Sequence, residues 1–238
     1  MSGAVAPPAR WRRLIGMGVI SVIAFVGFIA LGIWQIHRYK HKDKVQAQIL
    51  HAQLLPPVPM GAHPSPYEKV AATGHWIFGH PALYGDQIRN FPQGPVQGAQ
   101  LIMPFQRQDG SIVMVDLGWI PGRTPHDVPL PSGRTTVSGY VQTQELLGMF
   151  RAKNDPAHRI FYSLDARTIG HALGLHRVAK FTLIALGPKP LAGGPIPASS
   201  LPHPPNNSKQ YFLTWFGLAL VVPFEFFFYA RKIFRENR

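Results

Sequence analysis

Seven polar and aromatic residues lie at or just beyond the ends of two long apolar segments, one segment near each end of the chain. They are Trp34, Gln35, Arg38, Asn206, Asn207, Tyr211 and Trp215. Amides, indoles and a guanidinium bind through hydrogen bonds and cation–π contacts and do not form covalent intermediates. The seven residues are therefore candidate binding residues. The alternative is that they only anchor the chain at a membrane surface, where Trp, Tyr and cations concentrate.

Catalytic and metal chemistry find little support in the sequence. His37 and His41 share a helix face by their spacing, which suits a metal, while the other histidines have no comparable spacing. The chain has no cysteine, which excludes thiolate metal sites, thiol catalysis and disulfides. It also lacks the P-loop, the nucleophile elbow, the His-Glu-x-x-His motif and the dinucleotide fingerprint. The sequence predicts no catalytic residue, no metal site and no enzyme.

A third motif lies in the middle of the chain. Two apolar runs, 101–107 and 112–118, are separated by a turn that contains Asp-Gly, which predicts a β-hairpin. The second run ends in a motif made of Asp116, Gly118, Trp119 and Pro121. The simplest interpretation is a core strand whose tryptophan packs beneath the sheet.

The two apolar segments are long enough to cross a membrane. Residues 14–36 form a stretch of 23 residues without charge or proline, which as a helix extends about 35 Å. No small-residue cleavage site follows, so the segment is predicted to be a retained anchor. Residues 209–230 form the second span. Its Glu225 lies close enough to the following basic residues to snorkel toward them, and the alternative is contact with a partner helix.

The net charge of +13 indicates the orientation of the chain in a membrane and not a binding surface for nucleic acid. Residues 45–208 hold 12 basic and 8 acidic residues, and most of the excess flanks the two spans. No nucleic-acid-binding motif accompanies it, so nucleic acid is not an expected partner. Basic residues after the second span predict a cytoplasmic C-terminus, and two spans place both termini on the same side. The prediction is a multi-pass protein of the bacterial inner membrane with its central domain outside.

The predicted fold is an α+β membrane protein: two transmembrane helices flank an antiparallel, barrel-like β domain with one short helix. Strands are predicted at 67–77, 101–107, 112–118, 135–141 and 181–186, and the helix at 164–173, capped by Asp165 and stopped by Gly174. The ranges are a cytoplasmic terminus 1–13, a span 14–36, a helical stalk and Pro-rich connector 37–66, an external domain 67–189, a Pro-rich connector 190–208, a span 209–230 and a cytoplasmic terminus 231–238.

Taken in order, the three motifs resemble those of the Surfeit locus family of cytochrome c oxidase assembly factors. The first span ends in a Gly-x-Trp-Gln-x-x-Arg pattern, the domain strand matches an Asp-Gly-x-x-Val-x-Val-x-x-Gly-Trp-x-Pro pattern, and the second span opens with Asn-Asn-x-x-x-Tyr-x-x-Thr-Trp-Phe. The matching residues are Gly32, Trp34, Gln35 and Arg38; Asp109, Gly110, Val113, Val115, Gly118, Trp119 and Pro121; and Asn206, Asn207, Tyr211, Thr214, Trp215 and Phe216. The sequence departs at Leu117, where the family has arginine, and at Ser208, where it has histidine.

The resemblance implies an assembly factor for a heme-copper oxidase that assists heme a insertion into the catalytic subunit or stabilises that subunit. Its expected partners are the catalytic subunit, other assembly factors and membrane lipids, with heme a as a transient cofactor. Ser208 cannot supply an axial heme bond. The alternative imidazoles are His37 and His41, and His203 five residues before Ser208. Two other function classes stay open: an envelope binding or sensing module unrelated to the oxidase, and a membrane-anchored enzyme.

Overall fold

The computed structural model describes residues 9–126, 128–143, 152–188 and 194–235. Two compact units form: Met1–Ala47 with His203–Arg238, and Gln48–Pro202. The helices are α1 (Ala9–Leu54), α2 (Ala166–Ala172) and α3 (Ser208–Arg235). The strands are β1 (Val58–Pro59), β2 (Lys69–Trp76), β3 (Ala82–Phe91), β4 (Gly94–Arg107), β5 (Ile112–Pro121), β6 (Thr135–Thr143), β7 (Ile160–Phe161) and β8 (Val178–Ala185).

Both predicted spans lie in helices that are long and apolar enough to cross a bilayer. Helix α1 is continuous over 46 residues, so the predicted span and stalk form one helix that ends just before Pro56. Helix α3 covers 28 residues and contains Pro223, which removes one backbone donor. Parts of the predicted terminal ranges 1–13 and 231–238 lie outside the described residues.

The two long helices pack antiparallel within their unit. Trp11 meets Phe234 at one end, with ring centroids 6.1 Å apart, and Tyr39 meets Phe212 at the other, with centroids 6.2 Å apart. Beyond Tyr39, Gln46 Nε2 donates to the carbonyl of Pro204 at 2.7 Å. The start of α1 therefore lies beside the end of α3, the arrangement expected if both termini share one side of a membrane.

The second unit is a closed five-stranded barrel in the order β2-β6-β8-β5-β4, with β4 returning to β2. Closure places β2 against β4 at Gly74, where a Cβ would collide with the carbonyl of Gln106. The predicted barrel-like domain and its five strands are confirmed. Three additional strands lie outside the ring: β1 pairs with β2, β3 with β4, and β7 with β3.

The sheet is mixed and not purely antiparallel as expected. Strands β5 and β8 are parallel neighbours in the ring, and two of the peripheral pairs, β1 with β2 and β3 with β7, are also parallel. A parallel pair needs a crossover connection, and α2 lies in the chain between β5 and β8. Its predicted cap is confirmed, since the Asp165 carboxylate accepts from the N–H groups of Arg167 and Thr168.

Two apolar clusters hold the barrel unit together. One contains residues from all five ring strands, including Val70, Phe105 and Val115. The other joins Ile102 and Met114 of the sheet to Ile169 of α2. Segments that the sequence assigned to connectors also belong to this unit: β1 pairs with β2, and the backbone of Ile196 pairs with that of Trp119. The first part of the predicted connector 190–208 falls outside the described residues.

Candidate functional site

The close approach of α1 and α3 depends on Gly32, the first residue of the first motif. A Cβ at this position would lie 2.8 Å from two ring carbons of Phe216, closer than carbon atoms pack. Four residues earlier along α1, Phe28 stacks on Trp215 with centroids 5.8 Å apart. The glycine of the first-span motif and the Trp215-Phe216 pair of the second-span motif therefore meet in one helix contact, which explains the residue types at these positions.

Part of the predicted binding set is buried inside this helix pair. Gln35 is only 6% exposed, and Ser208, which follows the Asn206-Asn207 pair of the set, is 3% exposed. Asn206 donates from Nδ2 to the carbonyl of Tyr39 at 3.4 Å. Three buried polar atoms, Gln35 Oε1, Asn206 Oδ1 and Trp215 Nε1, have no hydrogen-bond partner within the described residues. A buried polar group without a hydrogen-bond partner lowers stability by about 1–3 kcal/mol. The three atoms give this part of the helix pair unused hydrogen-bonding capacity.

The other predicted binding residues lie on the outside of the pair. Trp34 is 53% exposed and Tyr211 55%. The guanidinium of Arg38 lies 5.4 Å from the centroid of the Trp34 ring, one helical turn away, which is a cation–π contact. Asn207 is exposed, and its carbonyl accepts from the N–H groups of Gln210 and Tyr211 at the start of α3. The structure thus divides the seven residues into a set with buried polar atoms (Gln35, Asn206 and Trp215) and an exposed set (Trp34, Arg38, Asn207 and Tyr211).

The residues near Ser208 do not fit axial ligation of a heme at that position. Ser208 is buried and carries a hydroxyl, while His37 and His41 are exposed on α1. Among the described residues, no group of three or more His, Asp or Glu is placed to hold a metal ion. Glu225 is exposed on α3, so the helix pair leaves its side chain accessible.

The domain motif forms a tight corner at the end of β5. Gly118 has a φ of +116°, and a Cβ there would collide with the carbonyl of Ile196. Trp119 and Ile196 exchange backbone hydrogen bonds of 2.9 and 2.8 Å. The Trp119 side chain is buried as predicted, and its Nε1 donates to the carbonyl of Gln87 at 3.3 Å. Pro121 then ends the strand.

Leu117 and Asp116 point to opposite faces of β5. Leu117 belongs to the apolar cluster of the ring strands, a place that suits leucine better than the arginine of the family pattern. Asp116 lies on the other face and is 5% exposed. Burial raises the pKa of Asp116 to about 7, against smaller opposing effects of the Gly118 N–H and the Arg89 charge. Its carboxylate lines a cavity of about 280 Å³.

Sequence reasoning missed several residues that complete these sites. Phe28 stacks on Trp215, and Tyr39 contacts Phe212 and accepts a hydrogen bond from Asn206 at its carbonyl. Aromatic residues in or next to a membrane span carry no pattern that marks a helix contact. Arg89 and Tyr140 line the cavity beside Asp116 and come from strands β3 and β6. Only the register of the sheet brings these strands near β5, so no spacing along the chain could have indicated the cluster.

Comparison with known proteins decides the family. A model of the SURF1 family matches residues 22–220, which extend from α1 through the barrel into α3. The chain belongs to the SURF1 family. It is 25% identical over 221 residues to a SURF1-like protein of Rickettsia bellii, covering 89% of this chain and 90% of the relative. It is 24% identical over 239 residues to Surfeit locus protein 1 of Homo sapiens, covering 92% of this chain and 76% of the relative.

The helix contact of this SURF1 family member can be tested by adding volume at Gly32. Replacing Gly32 by leucine forces a side chain into the Phe216 ring, and overpacking of this kind costs about 1–3 kcal/mol. We expect a lower midpoint of thermal unfolding in detergent. Gly27→Leu is the matched control, because a Cβ at Gly27 has no atom within 4 Å. Equal effects of the two substitutions would contradict the contact.

Asp116→Asn tests the burial of the carboxyl group. Asparagine keeps an oxygen for the Gly118 N–H and has no charge to bury. Between pH 3.8 and about 7, folded protein keeps the Asp116 proton that unfolded protein loses, so this residue lowers the free energy of unfolding as pH rises. The free energy of unfolding of the variant should equal that of wild type near pH 4. Above pH 7 it should exceed the wild-type value by at most about 4 kcal/mol.

Chemical denaturation at several pH values measures this difference. Asp155→Asn is the control, because hydrogen bonds from His158 lower the pKa of that exposed carboxyl group. Asp155→Asn should show no gain in the free energy of unfolding over wild type as pH rises. A pH-independent difference between Asp116→Asn and wild type would contradict the raised pKa.

Proposed function

We propose that the chain is a non-enzymatic assembly factor for a heme-copper terminal oxidase in a bacterial inner membrane. The observation that carries the proposal is the SURF1 family match over 22–220. The ordered motifs of the two spans and the barrel, which resemble cytochrome c oxidase assembly factors, support it. Two helices long enough to cross a bilayer support a membrane location. In this proposal both termini are cytoplasmic and the barrel is periplasmic or extracellular.

The helix pair docks beside the catalytic subunit of the oxidase in the lipid. The exposed set supplies the contact surface: Trp34 with the Arg38 guanidinium over its ring, Asn207 and Tyr211. Aromatic and arginine side chains of this kind contribute strongly to protein interfaces. Other assembly factors and membrane lipids are further partners of the same surface.

Heme a is the cargo of the assembly reaction. The barrel and helix pair stabilise an immature catalytic subunit while that subunit receives heme a. Ser208 provides no axial bond to the cargo, because its hydroxyl is a poor iron ligand and its side chain is buried in the helix pair. The proposed contribution of this chain is therefore to hold the protein partner, and the catalytic subunit supplies the heme ligands.

The second candidate function is an envelope binding or sensing module that has no connection with the oxidase. The cavity beside Asp116 favours it, since a pocket with a buried carboxylate suits a small polar ligand. This candidate predicts normal respiration when the gene is deleted.

Gene deletion and complementation test the assembly role. Deletion should lower both oxidase activity and the heme a absorbance of membranes. Wild type should restore them, whereas the double variant Trp34→Ala/Arg38→Ala should restore them only in part, since it removes the exposed cation–π pair. Ile23→Ala is the control for loss of an exposed apolar side chain on the same helix. Ser208→Ala should restore oxidase as well as wild type does.

Normal oxidase activity and normal heme a in the deletion strain would contradict the assembly role. Full rescue by Trp34→Ala/Arg38→Ala, with the variant present at the wild-type level, would contradict the docking surface.

A further inference from the structure

The barrel carries a cavity that none of the three motifs explains as a whole. The cavity lies on the outer face of the sheet, where Asp116 pairs in register with Ile184, and Ile184 with Tyr140. Leu164, just before α2, and the returning segment at Ile196 contribute further walls. Its volume of about 280 Å³ is that of a small-molecule site.

Asp116 lines the cavity, and its carboxyl group has free acceptor capacity. Asp116 Oδ1 accepts from the Gly118 N–H at 2.9 Å. Within the described residues no other group donates to this carboxylate. An ionised carboxylate can accept about four hydrogen bonds, and buried charges normally have a partner. A ligand with a cationic donor would complete this set.

A guanidinium stands near the same cavity. Arg89 lies with its guanidinium carbon 5.2 Å from the centroid of the Trp119 ring, which fixes the side chain beside the cavity wall. Its charge acts on Asp116, so the two groups are electrostatically coupled. Tyr140 lines the cavity too, and burial raises the pKa of its hydroxyl to about 12, so the hydroxyl keeps its proton at neutral pH.

The cavity therefore offers one negative group, one positive group and an apolar wall. A simple cation would meet the repulsion of Arg89, and a simple anion that of Asp116. A zwitterion matches both charges at once. The apolar wall of Leu164, Ile184 and Ile196 is suited to a branched aliphatic group.

We propose that this cavity binds a free α-amino acid with an aliphatic side chain, its ammonium on Asp116, its carboxylate on Arg89 and its side chain against the aliphatic wall. The site is separate from the assembly surface of the helix pair. A bound amino acid would stabilise the corner at Gly118, because the Gly118 N–H shares the Asp116 carboxylate with the ligand.

Isothermal titration of the full-length protein in detergent micelles tests the proposal at pH 8, above the raised pKa of the Asp116 carboxyl group. L-leucine is the zwitterionic probe. 3-Methylbutylamine, which lacks the carboxylate, and 4-methylpentanoate, which lacks the ammonium, are the matched single-charge probes. Leucine should bind at least about tenfold more tightly than either single-charge probe, because each of these probes lacks one of the two charge-assisted hydrogen-bonded pairs.

Two substitutions assign the charges of the site. Asp116→Asn and Arg89→Gln should each weaken leucine binding at least about tenfold. Asp116→Asn should weaken the binding of 3-methylbutylamine but not that of 4-methylpentanoate. Arg89→Gln should weaken the binding of 4-methylpentanoate but not that of 3-methylbutylamine. Asp155→Asn, which removes an exposed carboxylate elsewhere on the unit, should leave leucine binding unchanged.

Three results would overturn the proposal: no heat of binding with leucine at millimolar concentration, equal leucine affinity in wild type and Asp116→Asn, or a single-charge probe that binds as tightly as leucine. Because the readout is binding by the purified chain, it is independent of oxidase levels. Loss of leucine binding with normal oxidase assembly, or the converse, separates this site from the assembly role.

Discussion

The contact between Gly32 and Phe216 sets how closely the two long helices approach. In lipid, helices gain little from apolar burial against one another and associate through packing and hydrogen bonds, so small residues at the contact matter. A glycine on α1 admits the ring from α3. At this approach Gln35 is buried and one polar atom each of Asn206 and Trp215 is shielded from solvent, while Trp34 and Tyr211 lie outside. The same contact therefore produces both the buried polar set and the exposed aromatic set.

The barrel depends on glycines in a similar way. Gly74 lets β2 cross β4 so that the ring closes, and Gly118 admits the chain as it returns past β5. Closure removes exposed sheet edges from the ring, and the ring strands enclose a continuous apolar cluster. Asp116 is an ionisable residue in the middle of β5, where all residues before Pro121 are buried and all the others are uncharged. This residue marks the cavity.

Much of the fold could be predicted because its signals are local. Long apolar runs predicted both long helices, two apolar runs joined by the Asp-Gly turn predicted the hairpin of β4 and β5, and Asp165 and Gly174 predicted the bounds of α2. Strand β3 was missed because its exposed polar residues and the irregular pairing after Tyr84 hide the alternation. The parallel pairing of β5 with β8 was missed because it arises from a crossover, which no local pattern records.

The candidate sites were predictable to a smaller extent. The motifs named positions on both helices, but no sequence pattern tells which side of each helix faces its partner. The seven residues therefore could not be divided into those at the helix contact and those outside it. Asp116 was noticed only as part of a strand motif. Its partners Arg89 and Tyr140 lie on strands distant in sequence, and the closed sheet brings them together.

Thiol crosslinking in membranes tests the antiparallel helix pair most directly, because the natural chain has no cysteine. A short thiol-to-thiol crosslinker should join Tyr39→Cys to Phe212→Cys within one chain, since the native rings are in contact. The pair Trp11→Cys and Phe212→Cys should stay unjoined, because Trp11 lies at the opposite end beside Phe234. Crosslinking of the second pair in place of the first would contradict the antiparallel packing from which the docking surface is derived.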